Sequence, residues 1–568
     1  MIRTKNLALL FSIALVLSSC AGEEPAPPPV QNTATQTGEL VLASTNDFHA
    51  ALDRAEGLAS VIRDLRKKYE DKLVYLDAGD QFQGSLEGNM SKGKAVIELF
   101  SLIGLDAAAM GNHELDYGPD VPQRVSVRKG EDGMGSFKKR AKEAKYPFLS
   151  ANFTYDPPVS CAGPGPECNA LYQKTILPPR TIIERGGQRI GVIGATTPVT
   201  ANITDPEFIR GKKFDPMAPV IEAEAKWLRE QKNCKWILLV VHEGLRYERD
   251  GKTLKDTALL TLLKQLPPGI VDAIVGGHSH IQIRDIVQGF PLLQTGISGQ
   301  VVGVMHLSKN AGKTEARFEN FIPVPDTAVA FDVTRVMLFY RQLALDKKRK
   351  VIAKTTAPFP QDKTSESALG NLMADAVLHI AQRYGGADFA VMNAGGIRSG
   401  LPEGTLTYDN AFKLMPFSNN LVIVEMTGKE LTSLLEIAFS GALGPASISG
   451  LKVTCARVSP GVDGPWMRDI SGDGKKEDWE RDLLLEVQSI NGTPVQNDKT
   501  YRLATNTFLV EGGDYQDFVY DQIPPSRIHI HYDVIIRDLL ADYFKAQSPL
   551  APVTYYSESK ARIRYADN

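Results

Sequence analysis

Short apolar runs rich in β-branched residues recur along the first half of the chain: Leu40-Val41-Leu42-Ala43, Leu73-Val74-Tyr75-Leu76, Arg189 to Ile193, Trp236 to Val241 and Val271 to Val275. Helical stretches separate them, so residues from Leu40 to about Ile322 predict strands alternating with helices in an α/β layer architecture. Four of the runs stop at polar clusters: Asn46-Asp47-Phe48-His49, Asp77-Ala78-Gly79-Asp80, His242-Glu243-Gly244 and Gly276-Gly277-His278-Ser279-His280. Loops just past strand ends are where α/β folds build their sites. Pro323 to Thr327 breaks the pattern, and Phe331 to Ile352 predicts one helix. Its basic end, Lys347-Lys348-Arg349-Lys350, reads as a solvated face on a connector. A second globular unit follows to Asn568, with no internal repeat between the two.

Composition bounds this picture without giving an activity. The chain has 568 residues, 43% hydrophobic and 23% charged, which supplies large packed cores and excludes a disordered, collagen-like or disulfide-stapled miniprotein. Lys plus Arg total 64 against 67 Asp plus Glu, a net charge of −3, so the basic footprint of a nucleic-acid binder is missing and nucleic acid is not an expected partner.

Arg3 and Lys5 precede an apolar run from Leu7 to Leu17 that is too short to span a bilayer and has the form of a signal-peptide core. Leu17-Ser18-Ser19-Cys20 resembles the bacterial lipobox, which implies lipidation of Cys20 and a membrane partner reached through an N-terminal lipid. Plain cleavage near Cys20 is the alternative. Residues 21–38, rich in Pro, Thr and Gln, predict an extended tether. In an exported protein Cys161 and Cys168 can close a local disulfide, and Cys234 and Cys455 read as two buried thiols.

Asp47 and His49 sit one residue apart on an extended segment and can face one side, and a carboxylate with an imidazole suits a divalent transition metal. Asp80, Asn112 in Gly111-Asn112-His113-Glu114, His242, and the pair His278 and His280 bring the candidate ligands to seven. One such histidine alone would read as a buried, hydrogen-bonded core residue. Five of nine at the ends of predicted elements point instead to a metal centre.

At these residues the chain resembles the calcineurin-like metallophosphoesterases, over roughly residues 40 to 320. The resemblance implies that Asp47, His49 and His280 hold one ion, Asn112, His242 and His278 the other, and that Asp80 bridges them. Two ions about 3.5–4 Å apart activate water and clamp phosphoryl oxygens, so a phosphate ester is the implied substrate class. Many relatives carry Gln or Asn where this chain has His280, which leaves the metal open among Zn, Mn and Co. His113 and Asp116 would form the catalytic dyad: His113 stabilises the transferring phosphoryl group or protonates the leaving oxygen, and Asp116 orients its ring. A turn or cap carboxylate is the other reading of Asp116. The insertion from Val121 to Lys145 reads as a surface excursion near this dyad.

Glu366-Ser367-Ala368-Leu369-Gly370-Asn371-Leu372, Asn393-Ala394-Gly395-Gly396-Ile397-Arg398 and Leu414-Met415-Pro416-Phe417 resemble the C-terminal domain of bacterial and animal 5'-nucleotidases. The two halves together place the chain with the bacterial 5'-nucleotidase / UDP-sugar hydrolase family. The implied fold class is α/β (α+β): an N-terminal four-layer α/β/β/α sandwich and a second α/β substrate-binding domain joined by a helix. The implied segments are 1–20 signal, 21–38 tether, 39–325 metallophosphoesterase domain, 326–352 connector and 353–568 C-terminal domain. Gly395 and Gly396 allow close backbone approach to a ligand, Arg398 can pair bidentately with phosphate, and by resemblance Asn393 and Arg398 contact substrate while Phe417 forms one side of an aromatic clamp on the base.

Two positions depart from that pattern. Relatives carry Arg before the Glu-Ser-x-Leu-Gly-Asn segment, where this chain has Lys363-Thr364-Ser365, so one phosphate-binding arginine is either absent or replaced by Lys363. The second clamp aromatic normally follows Gly-Gly-Asp as x-Phe or x-Tyr, whereas here Gly512-Gly513-Asp514 leads to Tyr515-Gln516-Asp517-Phe518, so either Tyr515 or Phe518 substitutes or base stacking is weaker. Residues 469 to 480 also carry the spacing of an EF-hand loop, with Asp469, Ser471, Asp473 and Glu480 as oxygen ligands of a calcium ion, or else form an acidic solvated insertion. His529 and His531 alternate with Ile as the polar face of a strand.

The expectation is a lipid-anchored enzyme of the bacterial cell envelope, periplasmic or at the cell surface, with a dinuclear metal centre. It would remove phosphate from nucleoside monophosphates and cleave UDP-sugars, the second domain carrying the nucleoside to the metals by rigid-body closure. The alternatives are a 2',3'-cyclic-nucleotide phosphodiesterase or 3'-nucleotidase, a thiosulfohydrolase-like enzyme, or an inactive nucleotide-binding surface protein.

Overall fold

The structure, a computed structural model, describes residues 39–566 apart from 122–126, 157–174, 248–253, 255–256, 327, 418, 458–463, 471–475, 477, 490–491 and 511. The signal segment, the tether, Cys20, the Cys161 and Cys168 pair, and Ser471 and Asp473 lie outside the described residues. Among the described residues no helix is long and apolar enough to cross a membrane.

Two six-stranded sheets stack face to face in the first half. In one, the strands run Lys313–Phe321, Val302–Asn310, Leu40–Thr45, Leu73–Asp77, Ala107–Ala109 and Phe148–Leu149; in the other, Gln282–Val287, Phe290–Thr295, Ala273–Gly276, Trp236–His242, Gln188–Thr196 and Arg180–Arg185. Side-chain alternation decides the layers. Leu40, Leu42, Val74 and Leu76 point between the sheets toward Val192, Leu238 and Val240. Val41, Ala43, Leu73 and Tyr75 point outward into the helices Ala55–Tyr69 and Lys94–Ile103. The second sheet is covered by Met217–Lys232 and Ala258–Gln265, completing an α/β/β/α sandwich whose central strands are apolar on both faces.

Residues after Val351 build a five-stranded sheet in the order Ser447–Ser449, Phe389–Met392, Thr500–Asn506, Asn420–Thr427 and Ile528–Ile535. Ala390, Met392, Leu421 and Ile423 pack on the helices Ala368–Ala381 and Ile536–Ala546. Val391, Val422 and Val424 pack on the other side with Gly428–Ala438. Cys234 and Cys455 are buried free thiols.

Three expectations change. The connector helix spans Phe331–Arg349 rather than reaching Ile352, because Val351–Thr355 pairs as a strand with Gly404–Thr407, a use that suits β-branched Val351 and Ile352. Its basic end is not merely solvated: Lys348 Nζ lies 2.6 Å from Oε1 of buried Glu87 and 3.7 Å from Asp409 Oδ1, so it ties the two halves together. The stretch around Val121 to Lys145 is not all surface, since the helix Gly135–Glu143 buries Phe137 against Phe82 and Phe148 with ring centroids 6.4 and 5.3 Å apart.

Arg180 and Glu224 form a buried ion pair, with the guanidinium 3.6 Å from the Trp227 ring centroid. Glu224→Ala is expected to lower stability by roughly 3–5 kcal/mol, because it leaves a buried cation without its carboxylate. Urea unfolding of the two proteins measures the difference.

Candidate active site

Parallel strands end together at one rim of the sandwich. Leu40–Thr45 leads to Asp47 and His49, Leu73–Asp77 to Asp80, and Ala107–Ala109 to Asn112 and His113; from the other sheet, Trp236–His242 ends in His242 and Ala273–Gly276 leads to His278 and His280. The seven candidate ligands therefore converge from both sheets at their carboxyl ends. Two glycines make the approach possible. A Cβ on Gly111 would stand 2.2 Å from Asp80 Oδ1, and one on Gly79 would stand 2.7 Å from the Gly111 nitrogen.

Asp47, His49 and His280 offer ligand atoms within 4.8 Å of one another, and so do Asp80, His242 and His278. His280 Nε2 is 3.3 Å from Asp47 Oδ1 and 3.2 Å from His49 Nε2. His242 Nε2 lies 3.1 Å from Asp80 Oδ2 and 3.0 Å from Asn112 Oδ1, while His49 Nε2 is 3.9 Å from the same Asp80 oxygen. Asp80 thus touches both groups. Backbone carbonyls fix the rings: His242 Nδ1 donates to Ala78 O at 2.8 Å and His49 Nδ1 to Gln83 O at 3.1 Å, turning each Nε2 to the centre.

Electrostatics support the donor set. Burial and the neighbouring His113 push His49 down to about 3, and burial and His242 push His278 down to about 4, so both rings are neutral donors at neutral pH. Burial opposes charge on His242, but Asp80 outweighs it and raises that histidine to about 10. Carboxylates and neutral imidazoles crowded at one buried point suit divalent transition ions, and the residues fit a two-ion centre.

Asp47, His49, Asp80, His278 and His280 all hold left-handed backbone conformations, with φ between 50° and 67°. Each such non-glycine residue costs of order 1–3 kcal/mol unless its surroundings enforce it, and such strain gathers at functional sites. Part of the enforcement comes from Glu114, a residue that sequence reasoning left without a role. It is fully buried, and its carboxylate accepts four backbone N–H groups: Asp80 (2.9 Å) and Gly111 (2.6 Å) on Oε2, Gln81 (2.7 Å) and Phe82 (3.3 Å) on Oε1. Its place directly after Gly-Asn-His was the available signal.

His113 Nδ1 lies 2.7 Å from Asp116 Oδ2, and the His113 backbone N–H donates to Asp80 Oδ1 at 2.8 Å. Burial works against a charged His113, yet Asp116 and Asp80 raise its pKa. Phe417 from the second half lies nearly parallel to the His113 ring, 6.1 Å away and tilted by 27°, and the Arg398 guanidinium sits 5.7 Å from the Phe417 centroid.

These groups share one cavity of about 1260 Å³. Asp80, Asn112, His113, Asp116, His278 and His280 line one side; Lys363, Asn393, Gly395, Gly396, Arg398 and Phe417 line the other. Lys363 also lines the cavity, and burial together with Arg398 lowers its pKa. Asn393 is hydrogen-bonded to Asp514, whose carboxyl burial pushes up to about 6.

Tyr515 and Phe518 are placed elsewhere. Both stack on buried Trp479, each with centroids 4.8 Å apart and interplanar angles of 1° and 25°, and neither lines the cavity. Phe508 lines the cavity instead. Gly513 makes room for its ring, since a Cβ there would lie 2.5 Å from it. The signal for Phe508 was an aromatic shortly before, rather than after, Gly-Gly-Asp. In the stretch proposed as a calcium loop, Asp469 is followed after the undescribed residues by a single 3-10 turn, Asp478–Glu480, and then by the strand Leu484–Ser489; the described flanks supply no helix on either side.

Comparison with known proteins agrees with this geometry. Residues 40–282 match the calcineurin-like phosphoesterase family, and residues 351–520 match the 5'-nucleotidase C-terminal domain. Protein UshA of Yersinia enterocolitica is 27% identical, over 93% of this chain and 94% of its own length. The trifunctional nucleotide phosphoesterase protein YfkN of Bacillus subtilis is 26% identical over 88% of this chain, which spans about a third (34%) of that protein. The crystal structure of the 5'-nucleotidase precursor from Thermus thermophilus superposes with a TM-score of 0.70 at 24% identity, covering 93% of this chain and 99% of that one, and so shares the fold. The chain thus carries a calcineurin-like phosphoesterase half followed by a 5'-nucleotidase C-terminal half, the arrangement in which it resembles the 5'-nucleotidases.

Proposed function

We propose that this protein is a metal-dependent 5'-nucleotidase that releases phosphate from nucleoside 5'-monophosphates and also cleaves UDP-sugars. The single observation carrying the reading is the shared cavity, in which the His113 and Asp116 dyad and the ligand cluster face Arg398 and Phe417 across one space. A phosphate can meet the ligands and both cations while its base lies on an aromatic face. The cavity volume exceeds what a mononucleotide fills, which leaves room for a sugar diphosphate.

In this reading Asp47, His49 and His280 would hold one divalent ion and Asn112, His242 and His278 a second, with Asp80 shared between them. The ions supply Lewis-acid charge to water and to the phosphoryl oxygens. Lys363 and Arg398 orient the phosphate through charge-assisted hydrogen bonds. His113, held by Asp116, faces the phosphoryl group and can pass a proton to the leaving oxygen. Phe417 and Phe508 supply the faces for the base. We also assign residues 39–325, 326–352 and 353–568 to the catalytic domain, connector and substrate domain. The Leu17-Ser18-Ser19-Cys20 sequence supports anchoring to a bacterial envelope through a lipid on Cys20; a Cys20→Ala protein that stays in the membrane fraction would count against it.

The test is phosphate release from AMP after EDTA stripping and again after adding Mn²⁺, Co²⁺ or Zn²⁺. Release restored by metal is the expected result. Hydrolysis of bis(p-nitrophenyl) phosphate without release from AMP would move the function to a phosphodiesterase.

A further inference from the structure

Phe417 reaches the dyad on a loop that is tied from two directions. Arg537, the second residue of the helix Ile536–Ala546, is 6% exposed. Its Nη1 donates to three successive carbonyls: Met415 at 3.4 Å, Pro416 at 2.9 Å and Phe417 at 2.8 Å. Its Nε reaches the Tyr408 hydroxyl at 3.4 Å, its guanidinium lies 4.9 Å from the Phe412 ring centroid, and Asp538 Oδ1 stands 3.7 Å from Nε. From the catalytic half, Asn89 Nδ2 donates to the same Pro416 carbonyl at 2.9 Å. Asn89 Oδ1 in turn accepts the Tyr117 hydroxyl at 3.0 Å, whose oxygen accepts the Gln83 N–H at 2.8 Å.

Burying a guanidinium is costly, and an apolar side chain would fill the same space more cheaply if packing were all that was needed. What an apolar residue cannot do is hold three carbonyl dipoles of one loop on a single cation. We propose that Arg537 is a positioning residue for nucleobase recognition: by clamping residues 415–417 it presents the Phe417 ring as a preformed face for the base. Preorganisation of this kind improves binding by removing the ordering cost that a loose loop would incur. The inference rests on the assignment of Phe417 as a base contact.

The test compares kcat and KM for AMP and for p-nitrophenyl phosphate, which has no nucleobase, in the metal-loaded native protein and in Arg537→Gln, Arg537→Lys and Phe417→Ala. Arg537→Gln is expected to lower the ratio of kcat/KM for AMP to that for p-nitrophenyl phosphate by about tenfold, the loss appearing in the KM for AMP. Arg537→Lys should recover part of it, since an ammonium still donates to carbonyls, and it keeps the test open if the glutamine protein folds poorly. A general weakening of the fold would lower both substrates together and leave the ratio unchanged; that result, with Phe417→Ala still lowering the ratio, overturns the role of Arg537 and leaves the base contact standing. An unchanged ratio in Phe417→Ala overturns the base contact itself, and the role of Arg537 with it.

Discussion

Asp80→Asn is expected to slow phosphate release from AMP by roughly a thousandfold or more. Asp80 reaches toward both ligand groups, Oδ2 standing 3.1 Å from His242 and 3.9 Å from His49. The substitution keeps the shape, and its carbonyl oxygen can still accept the His113 N–H that now binds Oδ1 at 2.8 Å. It removes the negative charge from the shared position and points an amide toward His242. Bound ions contribute several kcal/mol of transition-state stabilisation, and at about 1.36 kcal/mol per factor of ten the loss of one or both reaches three orders of magnitude. Metal analysis after dialysis should find fewer than two equivalents per chain. Two equivalents retained with native turnover would remove Asp80 from the bridging position.

His113→Ala should cost about 10²- to 10⁴-fold in kcat, with metal content near native because all seven candidate ligands are intact. The substrate dependence then separates its two possible duties. A proton passed to the leaving oxygen matters far more for the ribose alkoxide of AMP than for p-nitrophenolate, which departs without help. If His113 serves as acid, the loss on AMP exceeds the loss on p-nitrophenyl phosphate; if it stabilises the phosphoryl group alone, the two losses match. A loss below about tenfold on both would remove His113 from the chemistry.

The rim of the sandwich was largely legible in the sequence. Strands that are apolar on both faces and stop at Asp, His or Gly announce both the layered fold and the place where its ligands gather, and seven motif residues read from spacing converge at that rim. What the sequence concealed depends on partners distant along the chain. Tyr515 and Phe518 looked available as base contacts, but a motif cannot reveal that Trp479 already covers them. Phe508, which the sequence did not single out, lines the cavity, with Gly513 leaving space for its ring. The left-handed conformation of five ligand residues is equally silent in composition, because Asp and His do not carry the glycine signature of such positions. The connector ended early for a related reason: its last predicted turn was claimed by a strand partner more than fifty residues onward, at Gly404–Thr407.

The pairing of the first strand bears on how the protein is made. Leu40–Thr45 is flanked by Leu73–Asp77 and by Val302–Asn310, with Leu40 opposite Leu307. During synthesis Asp47 and His49 emerge early, His278 and His280 come much later, and the strand that closes the first sheet later still. Such long-range closure is slow compared with local helix formation. A ribosome-bound or prematurely ended chain therefore offers scattered ligands rather than a chelate, so metal acquisition becomes an event of maturation. The candidate ligands of the two sheets therefore come together only in a chain translated past Val302–Asn310.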